Sequence, residues 1–424
     1  MGAQQVLTTP QGAMRQKNLA RVLRTVRDLG PRSRARIAEE TALNKTTVSS
    51  LVTELVERRL VTEDDEGNAD RAGRVGRPGS DVALDRGAIT ALGAEINVDY
   101  LAVCSVDLSG AVVAERRVGL DTAREQIATV VDRVVDLVEQ VVETSRDEGR
   151  GILGLTVGVP GLVTMEAGEV VTAPNLGWRG VPIVDLVRTA LTETAVTVRA
   201  DNEANLAALA EYDARRRRVS DLVLLTGDVG VGAGLVIDGR LHRGHFGFGG
   251  EVGHMPLEIQ GAQCGCGRRG CWETRVGLTA LLNGLADLHD DVLDPTLDVE
   301  QRLREVVRRA EAGEPRTLAA LEQVGTWLGI GTATLVSVLD PGLVVLGGYF
   351  SALGPWLLDP MRRELRARTI GHDGAPTEVE VSALGVSAAV RGAAQMSLEA
   401  VFDDPTLAPR RRVAASGTPE VAHV

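Results

Sequence analysis

Three of the four cysteines in this 424-residue chain, Cys264, Cys266 and Cys271, fall within one short glycine-rich loop, "CGCGRRGCWE". Three thiols cannot pair evenly as disulfides, and the fourth, Cys104, lies far away in an apolar run. Crowded thiols in a chain that otherwise hardly uses cysteine point to metal ligation, and His254 supplies a fourth donor shortly before Cys264. Three thiolates and one imidazole complete a tetrahedral Zn²⁺ site. A shell closed by four protein ligands leaves no position for a reacting water, so one structural zinc per chain is expected. Gly265, Gly267 and Gly270 let the backbone fold tightly around the ion. The alternative is a redox loop of three free thiols.

The elements that must position such a loop belong to a chain long enough for more than one domain. There is no signal peptide and no apolar stretch of about 20 residues, which predicts a cytoplasmic protein with no membrane partner; clustered cysteines fit that compartment as metal ligands. Only Lys17 and Lys45 are lysines, and the net charge of −12 hides an asymmetry. Between Met14 and Leu60 eleven basic residues face five acidic ones. A basic block on an acidic body predicts a nucleic-acid module joined to something else.

The block reads as three helices and two strands. Leu19, Val22, Leu23, Val26 and Leu29 share one helical face, which Gly30 and Pro31 end. Ser33 is placed to cap a short second helix and Asn44 a third, whose Val48, Leu51, Val52 and Leu55 turn inward. Lys45, Thr46, Thr47, Ser49 and Ser50 then face outward, small polar groups and one cation suited to phosphates and base edges of double-stranded operator DNA. Arg34 joins them as a candidate contact. A strand, a Gly-rich turn and a second strand complete a winged helix-turn-helix over residues 14–86, after a flexible tail over 1–13. Ala42 stands where the turn usually has Gly, a departure that predicts a slightly different helix crossing. Arg74 and Arg77 in "GRVGRPG" could enter a minor groove, or the segment is a solvated linker. A three-helix protein-interaction domain is the alternative for the whole block.

From about residue 87 the pattern changes. Three strands in a meander, a long amphipathic helix and a buried strand entering Gly-Pro-Gly are followed by further strand, glycine turn and strand units. Two α/β lobes of similar plan with a ligand cleft between them are expected. Lobe one is placed at about 87–205 plus 385–402, lobe two at about 206–384, the zinc loop at 254–271, and a flexible tail at 405–424.

"EVGH" (Glu251–His254), "CGCGRRGCWE", "PNLGW" (Pro174–Trp178) and "DNEANLAALAE" (Asp201–Glu211), preceded by a winged helix, resemble the ROK family, which joins bacterial sugar-responsive repressors with sugar kinases. The resemblance spans roughly residues 15 to 402. It implies an actin-like (hexokinase-like) two-lobed body, a homodimer or homotetramer, zinc on His254, Cys264, Cys266 and Cys271, and sugar contacts at Asn175, Asn202, Glu203, Glu251, His254 and Glu273. Those residue types suit a sugar: carboxylates accept from hydroxyls, Asn donates and accepts, and imidazole can use one nitrogen for zinc and the other for sugar. Zinc beside Glu251 and Glu273 would hold two acceptors in fixed relation. Asn175 and Asn202 are weaker assignments, because Asn occurs in turns for backbone reasons alone.

Kinases resembling this chain carry "DxGGT" in their first loop, whose glycine amides cradle phosphate. Here the stretch is Glu95, Ile96, Asn97, Val98, Asp99. Both glycines are gone and Asp99 adds a charge hostile to phosphate. Val229 replaces a hydroxyl residue in the second loop, "DVGVGAG", and the expected catalytic Asp is Glu203, one methylene longer. Misplacing a base by about 1 Å can cost roughly 10²-fold in rate. The expected function is therefore a zinc-containing, sugar-responsive repressor of carbohydrate genes with no catalytic residues. The rival is an active sugar kinase carrying a DNA-binding domain.

Overall fold

The structure, a computed structural model, describes residues 10–64, 80–191, 196–215, 218–228, 230–287, 290–293, 299–371, 374 and 376–408. Helices α1 (Pro10–Leu29), α2 (Arg34–Thr41) and α3 (Lys45–Glu57) pack around Leu19, Val22, Leu23, Ile37, Leu51 and Leu55. Strand β1 (Arg32–Ser33) pairs with β3 (Asp81–Leu84), which pairs with β2 (Val61–Asp64). This is the expected winged helix. Both predicted caps form: Ser33 Oγ accepts from the Arg36 amide at 3.4 Å, and Asn44 Oδ1 from the Thr47 amide at 2.7 Å. Helix α1 starts at Pro10, earlier than the predicted boundary at 14. Leu29 departs from expectation and is 47% exposed; it is the last residue of α1, and the buried stripe ends one turn earlier, at Val26. Arg74 and Arg77 lie outside the described residues, as does Val229.

Ala42 keeps the left-handed turn of the glycine it replaces, with φ 51° and its amide bonded back to the Ala38 and Glu39 carbonyls. A Cβ in that region costs roughly 1–2 kcal/mol. Ala42→Gly should therefore raise stability by about 1 kcal/mol, read as a higher midpoint in urea unfolding; a lowered midpoint would show that the turn is not strained.

The body contains two five-stranded sheets of one plan. In the first, β4 (Ile89–Ile96), β5 (Tyr100–Asp107) and β6 (Val112–Gly119) form an antiparallel meander. Helix α4 (Ile127–Asp147) crosses over to β7 (Gly151–Val159), parallel to β4. A small sheet of β8 (Leu162–Thr164), β9 (Glu169–Ala173) and β10 (Trp178–Val181) and helix α5 (Ile183–Ala190) lead to β11 (Thr197–Asn202), parallel to β7. Helix α6 (Glu203–Ala214) follows. The second sheet repeats the meander with β12 (Leu222–Gly227), β13 (Val231–Ile237) and β14 (Arg240–Leu241). Helices α7 (Glu273–Val276), α8 (Leu278–Leu285), α9 (Val299–Glu311) and α10 (Pro315–Leu339) precede β15 (Leu343–Gly348), parallel to β12. Helices α11 (Tyr349–Ala352) and α12 (Gly354–Arg368) precede β16 (Glu378–Val381), parallel to β15. The strand orders, β11-β7-β4-β5-β6 and β14-β13-β12-β15-β16, share one topology with the first meander strand central.

Helix α13 (Ala388–Asp403) joins the two lobes to the winged helix. Its Gly392 lies so near α6 that an added Cβ would stand 1.7 Å from the Leu206 carbonyl oxygen. Gly93 in β4 makes room for the Val390 carbonyl in the same way. At the other end Leu398, Val401 and Phe402 share one core with Leu19, Leu23 and Leu60 of the winged helix and with Ala91 and Cys104 of lobe one. Arg27 donates to Glu399 Oε1 at 2.6 Å and lies over the Phe402 ring, and Arg24 pairs with Asp403. Arg58, just past α3, donates to the Thr406 and Ala408 carbonyls at 3.1 and 2.6 Å. The predicted tail over 405–424 is thus corrected at its start: Pro405–Leu407 form a 3₁₀ turn and Ala408 is buried against the DNA-binding module.

Candidate functional site

His254, Cys264, Cys266 and Cys271 converge, with one donor atom from each lying within 4.8 Å of all the others. His254 Nδ1 is 3.7 Å from Cys264 Sγ, and Cys266 Sγ is 3.7 Å from Cys271 Sγ. A tetrahedron with metal–sulfur bonds near 2.3 Å and metal–nitrogen bonds near 2.0 Å has edges of about 3.5–3.8 Å. The donor set and its spacing therefore fit a metal ion. Gly267 and Gly270 take the positive φ that the tight loop demands, and a Cβ at Gly270 would fall 1.6 Å from the Glu258 carbonyl oxygen. Gly265 has a free surrounding and no positive φ, so only two of the three predicted loop glycines are required. Trp272 anchors the loop: fully buried, it donates from its ring nitrogen to the Trp327 carbonyl in α10 at 2.8 Å.

Two carboxylates flank the cluster. Glu273 Oε1 is 2.7 Å from Cys264 Sγ and 3.5 Å from His254 Nδ1. Its Oε2 borders Gly230, where an added Cβ would come within 3.0 Å of it and within 3.7 Å of Asn175 Nδ2. Glu251 Oε2 is 3.8 Å from His254 Nε2, the nitrogen not turned to the thiols. Burial, above all, raises the Glu251 carboxyl, with the Glu273 charge adding to it. Asn175, Glu251, His254 and Glu273 thus lie beside one another, Asn175 and Glu273 meeting at Gly230.

Asn202 has a different task from the one expected. Its Oδ1 accepts from the Ala204 and Asn205 amides and its Nδ2 donates to the Gly161 carbonyl, so it caps α6 and ties it to β7's exit loop. Capping leaves it little to offer a ligand. Glu203 follows as the first residue of α6; its Oε2 is buried and has no partner among the described residues. Burial first, then the charges of Glu251, Glu95 and Asp228, push its carboxyl well above the ordinary range.

Two residues of the site were not foreseen. Arg243, in the loop that leads to Glu251, donates to Asp201 Oδ2 at 2.7–2.8 Å across the lobes. Asp201 is buried, and its Oδ1 accepts from the Asn202 amide and from Asn205 Nδ2. This latch holds the start of α6 to lobe two. No sequence motif marks it, because its partners come together only through the fold.

Beyond Glu203 a cleft of about 530 Å³ opens between the lobes, lined by Glu95, Tyr100, Arg117, Asp228 and Leu303 among others. Asn97, also on its wall, donates to Glu95 Oε1 at 3.4 Å and to Asp228 Oδ2 at 3.1 Å. Tyr100 donates to Glu95 Oε1 at 2.6 Å, while Glu95 Oε2 is buried without a partner among the described residues. Burial raises the Glu95 carboxyl from 4.5 to about 7. The folded state therefore gains from protonated Glu95 at low pH and loses that gain as pH rises through about 7. Glu95→Gln should stabilise the protein by up to about 3 kcal/mol at pH 8 and by almost nothing near pH 4.5. Paired urea titrations at the two pH values check this; a gain of equal size at both would contradict it.

On the winged helix, Lys45, Thr46 and Ser50 are exposed, and Thr47 and Ser49 are half-buried. Ser50 Oγ already accepts from Arg15 at 3.2 Å, which brings an α1 cation beside α3. Arg34 makes a two-pronged pair with Glu63, at 2.5 and 2.8 Å, and donates to the Ser49 carbonyl.

Among the described residues no helix is long and apolar enough to cross a membrane. The ROK family profile matches residues 91–400, and the IclR helix-turn-helix domain profile matches residues 17–65. A xylose repressor of Caldicellulosiruptor bescii is 32% identical over 402 residues, covering 93% of this chain and 98% of its own. The fold matches that of a ROK family transcriptional regulator homologous to the Escherichia coli MLC protein, with TM-score 0.77, 23% identity and coverage of 92% and 97%. It also matches a ROK family glucokinase from Streptomyces griseus in complex with glucose and AMPPNP, with TM-score 0.61, 28% identity and coverage of 72% and 98%. With its body matched almost end to end and a helix-turn-helix ahead of it, the chain belongs to the ROK family.

Proposed function

We propose that this protein is a sugar-responsive, DNA-binding transcriptional regulator, a repressor of genes for carbohydrate uptake or catabolism. The observation that carries the reading is a continuous packed path from pocket to DNA-binding module. Helix α6 begins at Glu203 and abuts α13 through Leu206 and Gly392, and the last turn of α13, with Glu399, Phe402 and Asp403, rests on Arg24 and Arg27 of α1. A sugar that favours one lobe arrangement would move α13 and with it the winged helix. In a homodimer or homotetramer that motion changes the spacing of two α3 helices on operator DNA. The full-length kinship with a xylose repressor makes a pentose the first effector to test.

Zinc is the ion we assign to His254, Cys264, Cys266 and Cys271. When bound it supplies structural closure only. The chain's own residues do the recognition: Glu251 and Glu273 accept sugar hydroxyls, Asn175 adds an amide, and His254 offers Nε2, which lies 3.8 Å from Glu251 Oε2. Kinase chemistry is the second reading, supported by the glucokinase likeness. Against it stand Glu203, one methylene longer than the expected Asp, Asn97 and Val98 in place of the two first-loop glycines, and the Asp99 charge on the cleft wall.

Two single variants separate the two activities. Glu251→Ala removes a charged acceptor, worth roughly 1.5–3 kcal/mol, so sugar affinity should fall about ten- to a hundredfold or more while DNA affinity without sugar stays near wild type. Lys45→Ala should weaken DNA binding and flatten its salt dependence with sugar affinity intact. Calorimetry with xylose and anisotropy with selected DNA read both; equal losses of both activities in each variant would sink the two-module account.

A further inference from the structure

On α3, Ser50 follows Thr46 by one turn and Glu54 follows Ser50 by another, so the three lie in one row along the helix. Arg15 of α1 reaches that row. Its Nη2 donates to Ser50 Oγ at 3.2 Å, and its Nε donates to Glu54 Oε2 at 2.9 Å. Its side chain is still 47% exposed, and Nη1 makes no hydrogen bond among the described residues. Glu54 is buried and divides its oxygens: Oε2 serves Arg15, while Oε1 accepts from Arg58 Nε and Nη2 at 3.3 and 3.0 Å. Two guanidiniums therefore share one carboxylate, and the trio keeps one positive charge. Arg58 is itself buried, and its Nη1 donates to the Thr406 and Ala408 carbonyls of the turn that follows α13. Arg34, which also reaches α3, is matched one to one by Glu63.

We infer that Arg15 binds a DNA backbone phosphate beside α3, and that Glu54 and Arg58 are the residues that position it. The inference rests on the DNA-binding reading and adds a contact to the same face. A guanidinium held through two of its nitrogens keeps its plane and presents the third to an incoming partner. A phosphate oxygen takes such a donor in a charge-assisted hydrogen bond. Because the side chain is already held, little of its freedom is lost on binding. The partner is a phosphate and not a base edge, since Arg15 stands on α1, outside the helix that enters the groove. The shared carboxylate sets how strongly Arg15 attracts DNA. With Arg58 withdrawn, Glu54 would pair with Arg15 alone and cancel its charge. The turn after α13 holds Arg58 in place, so a displacement of α13 reaches the DNA face through these ion pairs as well as through the packed core.

The test is anisotropy with the full-length, zinc-loaded protein and two labelled duplexes of one length, a sequence the protein has selected from a random pool and a scrambled one, each read across a series of salt concentrations. Arg15→Gln should weaken binding to both duplexes by a similar factor, roughly tenfold. Its log–log salt dependence should be shallower by about 0.9, the share of one phosphate, while the helical signal stays at wild type. Arg15→Lys keeps the charge and should keep the slope. Arg58→Gln should weaken DNA binding although Arg58 is buried, and Arg58→Lys should restore most of the loss. In the Arg15→Gln background Arg58→Gln should add little, because the one acts through the other. Arg15 is half exposed, so its variants keep the fold and decide the phosphate contact whatever Arg58→Gln does to stability. Wild-type affinity and slope in Arg15→Gln, or a loss confined to the selected duplex with the slope unchanged, would overturn the inference and leave the DNA-binding reading standing. Fully additive losses in the double variant would overturn the positioning by Arg58. Wild type that binds neither duplex would overturn the DNA-binding reading and this inference with it.

Discussion

Cys266→Ser should strip most of the metal from the purified protein and unfold the loop that carries the pocket. Wild type should hold about one Zn²⁺ per chain. Structural zinc can contribute on the order of 10 kcal/mol to folding in small zinc domains. Here part of the loop is also held by Trp272 on α10 and by the Glu258–Arg275 ion pair, so the loss should be local. Local is enough to abolish function: Glu273 and His254 touch the cluster directly, and Glu251 leans on His254. Metal analysis, limited proteolysis near residue 266 and sugar calorimetry should change together, while the winged helix keeps its helical signal and its DNA affinity. Zinc-free wild type that still binds sugar would refute the structural role.

The second large effect is expected at Gly392. A methyl group there would overlap the Leu206 carbonyl, and one at Gly234 of β13 would overlap the Ala204 carbonyl of α6. Neither helix can yield without disturbing lobe packing, since interiors are close-packed. Gly392→Ala should cost about 1–3 kcal/mol, or more, as overpacking usually does. The same displacement lies on the path from Glu203 to the winged helix, so the operator's response to sugar should fall sharply while zinc content stays at wild type. Urea unfolding and sugar titration of a DNA complex measure the two consequences. Wild-type stability with an unaltered response would show that α6 and α13 are not the coupling element.

What the sequence revealed depended on how local the chemistry was. The convergence of His254 with the three loop cysteines, the caps Ser33 and Asn44 and the inward face of α3 are each set by short-range geometry, and all were readable. The repeated strand pattern likewise predicted two lobes of one plan. Asn202 was read as a ligand contact, and its role as the cap of α6 emerged only from the surrounding amides and the Gly161 carbonyl. The pairing of Arg34 was hidden for a similar reason: its partner Glu63 comes from the wing. The Arg243–Asp201 latch and the seat of α13 under the winged helix were illegible, because their partners are brought together by tertiary packing and no periodicity encodes them. Residues 405–408 looked like a tail by position and composition, yet the Arg58 guanidinium collects two of their carbonyls.

The central claim is that sugar controls DNA binding through a body that performs no phosphoryl transfer. The most direct measurement is a sugar titration of the full-length protein on DNA it has selected from a random pool, followed by anisotropy, with ATP consumption assayed in the same samples. The account predicts that at least one free sugar, xylose tested first, changes DNA affinity about tenfold or more while ATP is not consumed. DNA affinity indifferent to every sugar, together with sugar-stimulated ATP consumption that disappears in Glu203→Ala, would contradict it.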